Sequence, residues 1–85
     1  MGWDAIRFRA MAASLKVRFG RAVRKLRAAA EYSQESFADA IGVHRTYMGT
    51  LERGLGNPSL DIIAKIARGL GISIAELFEA VERGE

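Results

Sequence analysis

Gln34-Glu-Ser-Phe-Ala-Asp-Ala-Ile-Gly-Val-His-Arg-Thr-Tyr-Met-Gly-Thr-Leu-Glu-Arg53 is the stretch that decides the fold. It reads as a helix, a tight turn and a second helix. Phe37, Ala38 and Ile41 share one face of the first helix, while Val43, Met48 and Leu51 supply the apolar positions of the turn and of the second. Gly42 separates the two sets. A turn that closes one helix and opens another within three or four residues needs a position that tolerates positive φ, which glycine provides at least cost. Ala38 suits the same geometry, because two helices crossing steeply leave room for little more than a methyl group.

Outward from this stretch the helical signals continue. On the N-terminal side, Leu15, Phe19, Val23, Leu26 and Ala30 step at helical spacing, with Lys16, Arg18, Arg21, Arg24 and Lys25 on the other faces. Gly20 should weaken this helix by roughly 1 kcal/mol relative to alanine. Glu31 stands where that helix must end, so it either takes a left-handed conformation or lengthens the helix. Ser33 is an N-cap, with Glu35 placed in the first turn against the helix dipole. On the C-terminal side, Gly54-Leu-Gly-Asn-Pro58 is a turn region. Ser59 caps a helix to about Leu70 with the stripe Leu60, Ile63, Ile66, Ala67 and Leu70, and Gly71 ends it. Ser73-Ile-Ala-Glu76 is a capping box opening a last helix with Ile74, Leu77, Phe78 and Val81 on one face. The chain divides into an extension, 1–13, and a helical domain, 14–85. The extension is expected to be either disordered or a short helix, with Arg7 and Arg9 as a conceivable arm toward phosphate.

Charge and composition narrow the function. Residues 1–30 carry eight Lys/Arg against Asp4 alone, a net +7, and residues 31–85 carry five against nine Asp/Glu, a net −4. Such polarity suits a protein that turns one side toward a polyanion. The chain has no cysteine and one histidine, which excludes a disulfide framework and argues against a metal centre or an imidazole cluster. No cofactor is expected, and a reducing cytoplasm is the expected setting. The longest run without a charged residue or histidine is seven residues, far below the ~20 that cross a bilayer, so neither a membrane span nor a secretory signal is expected. No nucleophile stands beside a base in any catalytic pattern, so enzyme activity is not expected. Within 85 residues the apolar surface available for one core is modest, and dimerisation is expected to supplement it.

Leu26-Arg27, Ser33-Gln34, Ala38, Ile41-Gly42-Val43, Leu51-Glu52-Arg53-Gly54 and Asn57-Pro58-Ser59-Leu60 together resemble the Cro/repressor-type helix-turn-helix, the xenobiotic-response-element family, from about Phe19 to Phe78. Within it, His44-Arg45-Thr46-Tyr47 is most similar to the recognition-helix start of restriction-modification controller proteins. The resemblance implies an all-α, compact five-helix bundle of the lambda-repressor-like DNA-binding type. It also implies that Arg27 forms an ion pair with Glu52, and that the second motif helix enters the major groove of double-stranded DNA. His44, Arg45, Thr46, Tyr47 and Thr50 are then the candidate base readers. Arg45 is the main one, since an arginine fork matches guanine O6 and N7. Ser33, Gln34, Arg53, Asn57, Arg18 and Arg21 are the candidate phosphate contacts.

Ile62, Ile74, Phe78 and Val81 exceed what one small core needs and are assigned to a homodimer interface. The reading is a dimeric, sequence-specific transcription regulator acting on a near-palindromic operator, with RNA polymerase a conceivable further partner and no small-molecule ligand expected. The alternative is an antitoxin or other interaction module of the same fold that binds a toxin or polymerase.

Overall fold

The computed structural model describes the backbone of residues 2–84 and the side chains of residues 15–84. Five helices follow one another: α1 (Gly2–Ala29), α2 (Gln34–Ile41), α3 (Arg45–Glu52), α4 (Leu60–Leu70) and α5 (Ile74–Arg83), with no strand among the described residues. The side chains of the N-terminal extension, Arg7 and Arg9 included, lie outside the described residues.

The helix boundaries follow from cap chemistry. Ser33, Ser59 and Ser73 sit in extended backbone, and their hydroxyls accept from the amides of Ser36, Ile62 and Glu76. Each removes one of the orphan N–H groups that a helix start leaves unpaired. Around Ser73 the Glu76 carboxylate in turn accepts from the Ser73 amide at 2.9 Å, completing the capping box. Gly42 closes α2 at φ 76, letting its own amide donate to Asp39 O and that of Val43 to Ala38 O. Glu31 closes α1 by the same device at φ 66, with Tyr32 N donating to Arg27 O. Of its two options it takes the left-handed one, which an L-residue adopts at a cost of roughly 1–2 kcal/mol.

The core draws on every helix. Phe19, Ala22 and Val23 of α1 meet Phe37 and Ala38 of α2, Met48 and Leu51 of α3, Ile66 and Ala67 of α4, and Leu77, Ala80 and Val81 of α5. Full burial of each larger side chain contributes about 1.5–3 kcal/mol. Two departures from the sequence reading concern α4 and α5. Leu60 is 83% exposed, because the α4 stripe runs past the edge of the core and nothing described covers its first residue. Val81 has no accessible surface in the single chain, so it is a core residue and has no face to offer a partner. Ile62 and Phe78 are half-buried and pack on the same core, and Ile74 is 49% exposed.

Gly20 is explained by tertiary contact rather than by propensity. A β-carbon there would sit 2.4 Å from Leu51 O and 2.8 Å from Glu52 O, inside the backbone of α3. Glycine is what lets α1 lie against the C-terminal end of α3.

Candidate nucleic-acid interface

α2 and α3 present their N-terminal ends to the same side, and Ser33, Gln34, Glu35, Arg45, Thr46, Gly49 and Arg53 line one polar groove between them. Gly49 is buried at its floor, where a β-carbon would come within 3.4 Å of Arg53 Nη1 and 3.6 Å of Gln34 Oε1. The side chains of Gln34 and Arg53 thus converge over a backbone that offers no bulk.

Beneath the groove lies a buried charge network. Arg27 Nε and Nη2 donate to Glu52 Oε2 and Oε1 at 2.7 and 2.9 Å, and Arg27 Nη1 donates to Tyr32 O at 2.8 Å. Gln34 Nε2 donates to Glu52 Oε1 at 2.9 Å. The hydrogen bond to Glu52 raises the Arg27 pKa above its ordinary value, more than burial lowers it, with the Glu52 charge adding to the rise. Arg27 therefore stays charged at every working pH. A fork of this kind fixes both position and orientation of its members. It holds Gln34 so that one amide hydrogen is committed inward and the other is left for an acceptor outside.

The recognition-helix candidates do different jobs. His44 is the N-cap of α3, its Nδ1 accepting from Thr46 N at 3.1 Å. That bond places the imidazole proton on Nε2, so an uncharged His44 offers an outward donor. Arg45 and Thr46 are exposed at the start of α3. Tyr47 is half-buried against the core, so only part of its ring is available outside. Thr50 donates its hydroxyl to Thr46 O at 3.0 Å, which leaves it an acceptor toward any other group.

Among the phosphate candidates the structure brings Ser33, Gln34 and Arg53 together in the groove and separates the rest. Ser33 has both its hydroxyl and its amide engaged in the cap with Ser36, so neither is left over for an anion. Asn57 lines a different, apolar cleft with Leu15, Phe19, Ile63 and Phe78. Arg18 stands elsewhere. Its Nη2 donates to Glu82 Oε2 at 2.9 Å and to the carbonyls of Val81 and Glu82 at 3.3 Å, at the C-terminal end of α5. There its charge meets the last carbonyls of α5 and complements the helix dipole instead of facing a phosphate. Arg21 is exposed on α1.

Sequence reasoning placed Glu35 only in the first turn of α2. The structure sets its carboxylate against Arg45, Nη1 donating to Glu35 Oε2 at 3.0 Å, with both side chains about two-thirds exposed (63% and 67%). The two residues are ten apart on different helices, a separation with no periodic signal. Among the described residues no group of acidic, histidine or cysteine side chains could hold a metal ion, and no helix is long and apolar enough to cross a membrane.

The chain is similar to known proteins. Residues 23–77 match the model of a helix-turn-helix family. The chain is similar to Control protein C.MunI of Mycoplasma sp, with 46% identity over 70 residues, covering 81% of this chain and 95% of that one. The restriction-modification controller protein C.AhdI from Aeromonas hydrophila superposes with a TM-score of 0.71 at 47% identity, over 73% of this chain and 94% of that one. The controller protein C.Esp1396I, solved as a tetramer in complex with its natural 35 base-pair operator, superposes with a TM-score of 0.76 at 26% identity, over 82% and 92%. From its buried fork to its glycine turn, this chain belongs to the helix-turn-helix family of transcription regulators, beside the restriction-modification control proteins.

Proposed function

We propose that the chain is a restriction-modification controller: a homodimer that binds a near-palindromic operator in duplex DNA and regulates transcription in the cytoplasm. The observation that carries this reading is the groove in which Arg45 and Thr46 stand exposed beside Gln34 and Arg53. Arg45 supplies a fork for guanine O6 and N7, the commonest specific contact in a major groove, and Thr46 a methyl for thymine. Gln34, Arg53 and the first amides of α2 supply donors for phosphate oxygens, which set register without choosing sequence.

Ile74, Ile62 and the exposed part of Phe78 are the residues assigned to dimerisation. Two copies related by a two-fold axis would present their α3 helices about 34 Å apart, so half-site centres should lie ~10 base pairs apart or a multiple of that. RNA polymerase bound alongside is the further partner in this reading. Selection of bound duplexes from a random library tests the proposal. Enrichment of a two-fold symmetric site at that spacing is the expected result, and recovery of no consensus overturns it.

A further inference from the structure

We infer that Glu35 is a positioning residue that sets the base specificity of Arg45 from outside the recognition helix. The inference rests on the reading of α3 as the groove-entering helix. Its own observation is the ion pair across the helix-turn-helix, in which Arg45 Nη1 donates to Glu35 Oε2 at 3.0 Å on the rim of the polar groove.

Arginine carries five N–H donors, and the bond to Glu35 uses one nitrogen. Enough donors remain for a parallel pair of bonds to guanine. A guanidinium on an exposed, flexible stem would otherwise swing to the nearest phosphate, which attracts it equally on every sequence. The carboxylate opposes that swing by holding the fork toward α2, over the base edges. An exposed pair of this kind is weak in water, so Glu35 biases Arg45 without locking it.

The carboxylate also filters sequence through its pair with Arg45. It can only accept hydrogen bonds, so without its arginine it is opposed by the acceptor atoms that every phosphate and every base pair presents. A duplex that places guanine under Arg45 presents cytosine N4 in the same base pair. A duplex without guanine there lets Arg45 turn away to a phosphate, which leaves the carboxylate close to phosphates and base acceptors without its partner. Glu35 therefore penalises wrong sites, and specificity arises from that penalty as much as from the attraction of Arg45.

The test compares the intact wild type with Glu35→Gln, Arg45→Ala and the double variant, on the selected operator and on random-sequence duplex of equal length. Unfolding curves should coincide for wild type and Glu35→Gln, since the pair is exposed. On random duplex Glu35→Gln should bind about 3- to 10-fold more tightly at about 100 mM salt, having lost a negative charge that faces phosphate. The preference for guanine under Arg45 should fall from about tenfold or more to below about threefold. In the Arg45→Ala background the Glu35 substitution should leave the remaining base preferences unchanged. A Glu35→Gln variant that keeps the wild-type preference overturns the inference and leaves the DNA-reading function standing. A loss of preference of equal size in the Arg45→Ala background also overturns it, because Glu35 would then act independently. A wild type that selects no site removes both readings together.

Discussion

Arg27 and Glu52, 25 residues apart, meet in a two-bond fork of 2.7 and 2.9 Å in which the Glu52 side chain is only 2% exposed. The pair ties α1 to the end of α3, and through Glu52 Oε1 it also holds Gln34 at the start of α2. Removing one member leaves a buried charge uncompensated, at a cost of ~3–5 kcal/mol, whereas an exposed pair contributes at most about 1. Glu52→Gln should therefore lower the melting temperature by more than about 10 °C, given roughly 4–8 °C per kcal/mol in a domain of this size. Glu79→Gln, which touches only the loose exposed pair with Arg83 at 3.8 Å, should shift it by a few degrees at most. Thermal melts followed by circular dichroism separate the two, and equal melting temperatures would refute the role assigned to the fork.

Gly20→Ala sets propensity against packing. Helix propensity alone favours alanine by about 1 kcal/mol. The added methyl would lie 2.4 Å from Leu51 O, where the obstacle is backbone and cannot rotate away. Overpacking of this kind costs about 1–3 kcal/mol, so the net effect should be destabilising. A urea midpoint above that of wild type would mean that α1 and α3 are further apart than described here.

Glu31→Gly should stabilise. Glu31 holds φ 66 at the end of α1, a conformation that glycine adopts without strain. Relief of that strain less the extra chain entropy of glycine should leave a gain of about 0.5–1 kcal/mol. Chemical denaturation of the two proteins measures it, and a loss of stability would sink the prediction.

Ile74→Glu probes association with little effect on folding, because Ile74 is half exposed and outside the buried core. Phe78 is a poorer probe, since its ring stacks at 5.7 Å on that of Phe19 and a charge there would disturb the core as well. Sedimentation should find wild type dimeric and Ile74→Glu monomeric at about 10 μM, with circular dichroism unchanged and operator affinity reduced by about tenfold or more. A variant as dimeric as wild type would move the interface elsewhere.

Arg45→Ala should cost ~1–3 kcal/mol per half-site and flatten the preference at one base position, because one bidentate contact is lost. Arg53→Ala should instead weaken binding to all duplexes alike and shallow the salt dependence by about one phosphate equivalent. Site selection and salt titration on both variants give the answer. An unchanged consensus with Arg45→Ala would transfer base reading to Thr46, Tyr47 and Thr50.

The sequence by itself determined the elements from α2 onward and their ends, whereas α1 runs from Gly2 straight through the boundary read at residue 14. Serine caps, glycine turns and apolar periodicity act within a few residues, so Ser33, Gly42, Ser59, Gly71 and Ser73 punctuate the chain as read. It also put Arg45 and Thr46 at the start of α3, because that position follows from the turn alone. What only the tertiary structure decided is which distant polar groups meet and which apolar ones are covered. Arg18 goes to the end of α5 and Glu35 to Arg45, while Val81 is buried and Leu60 is left outside. Those outcomes depend on helix crossings set by backbone contacts such as Gly20 against Leu51 O, and a crossing angle leaves no period in the sequence.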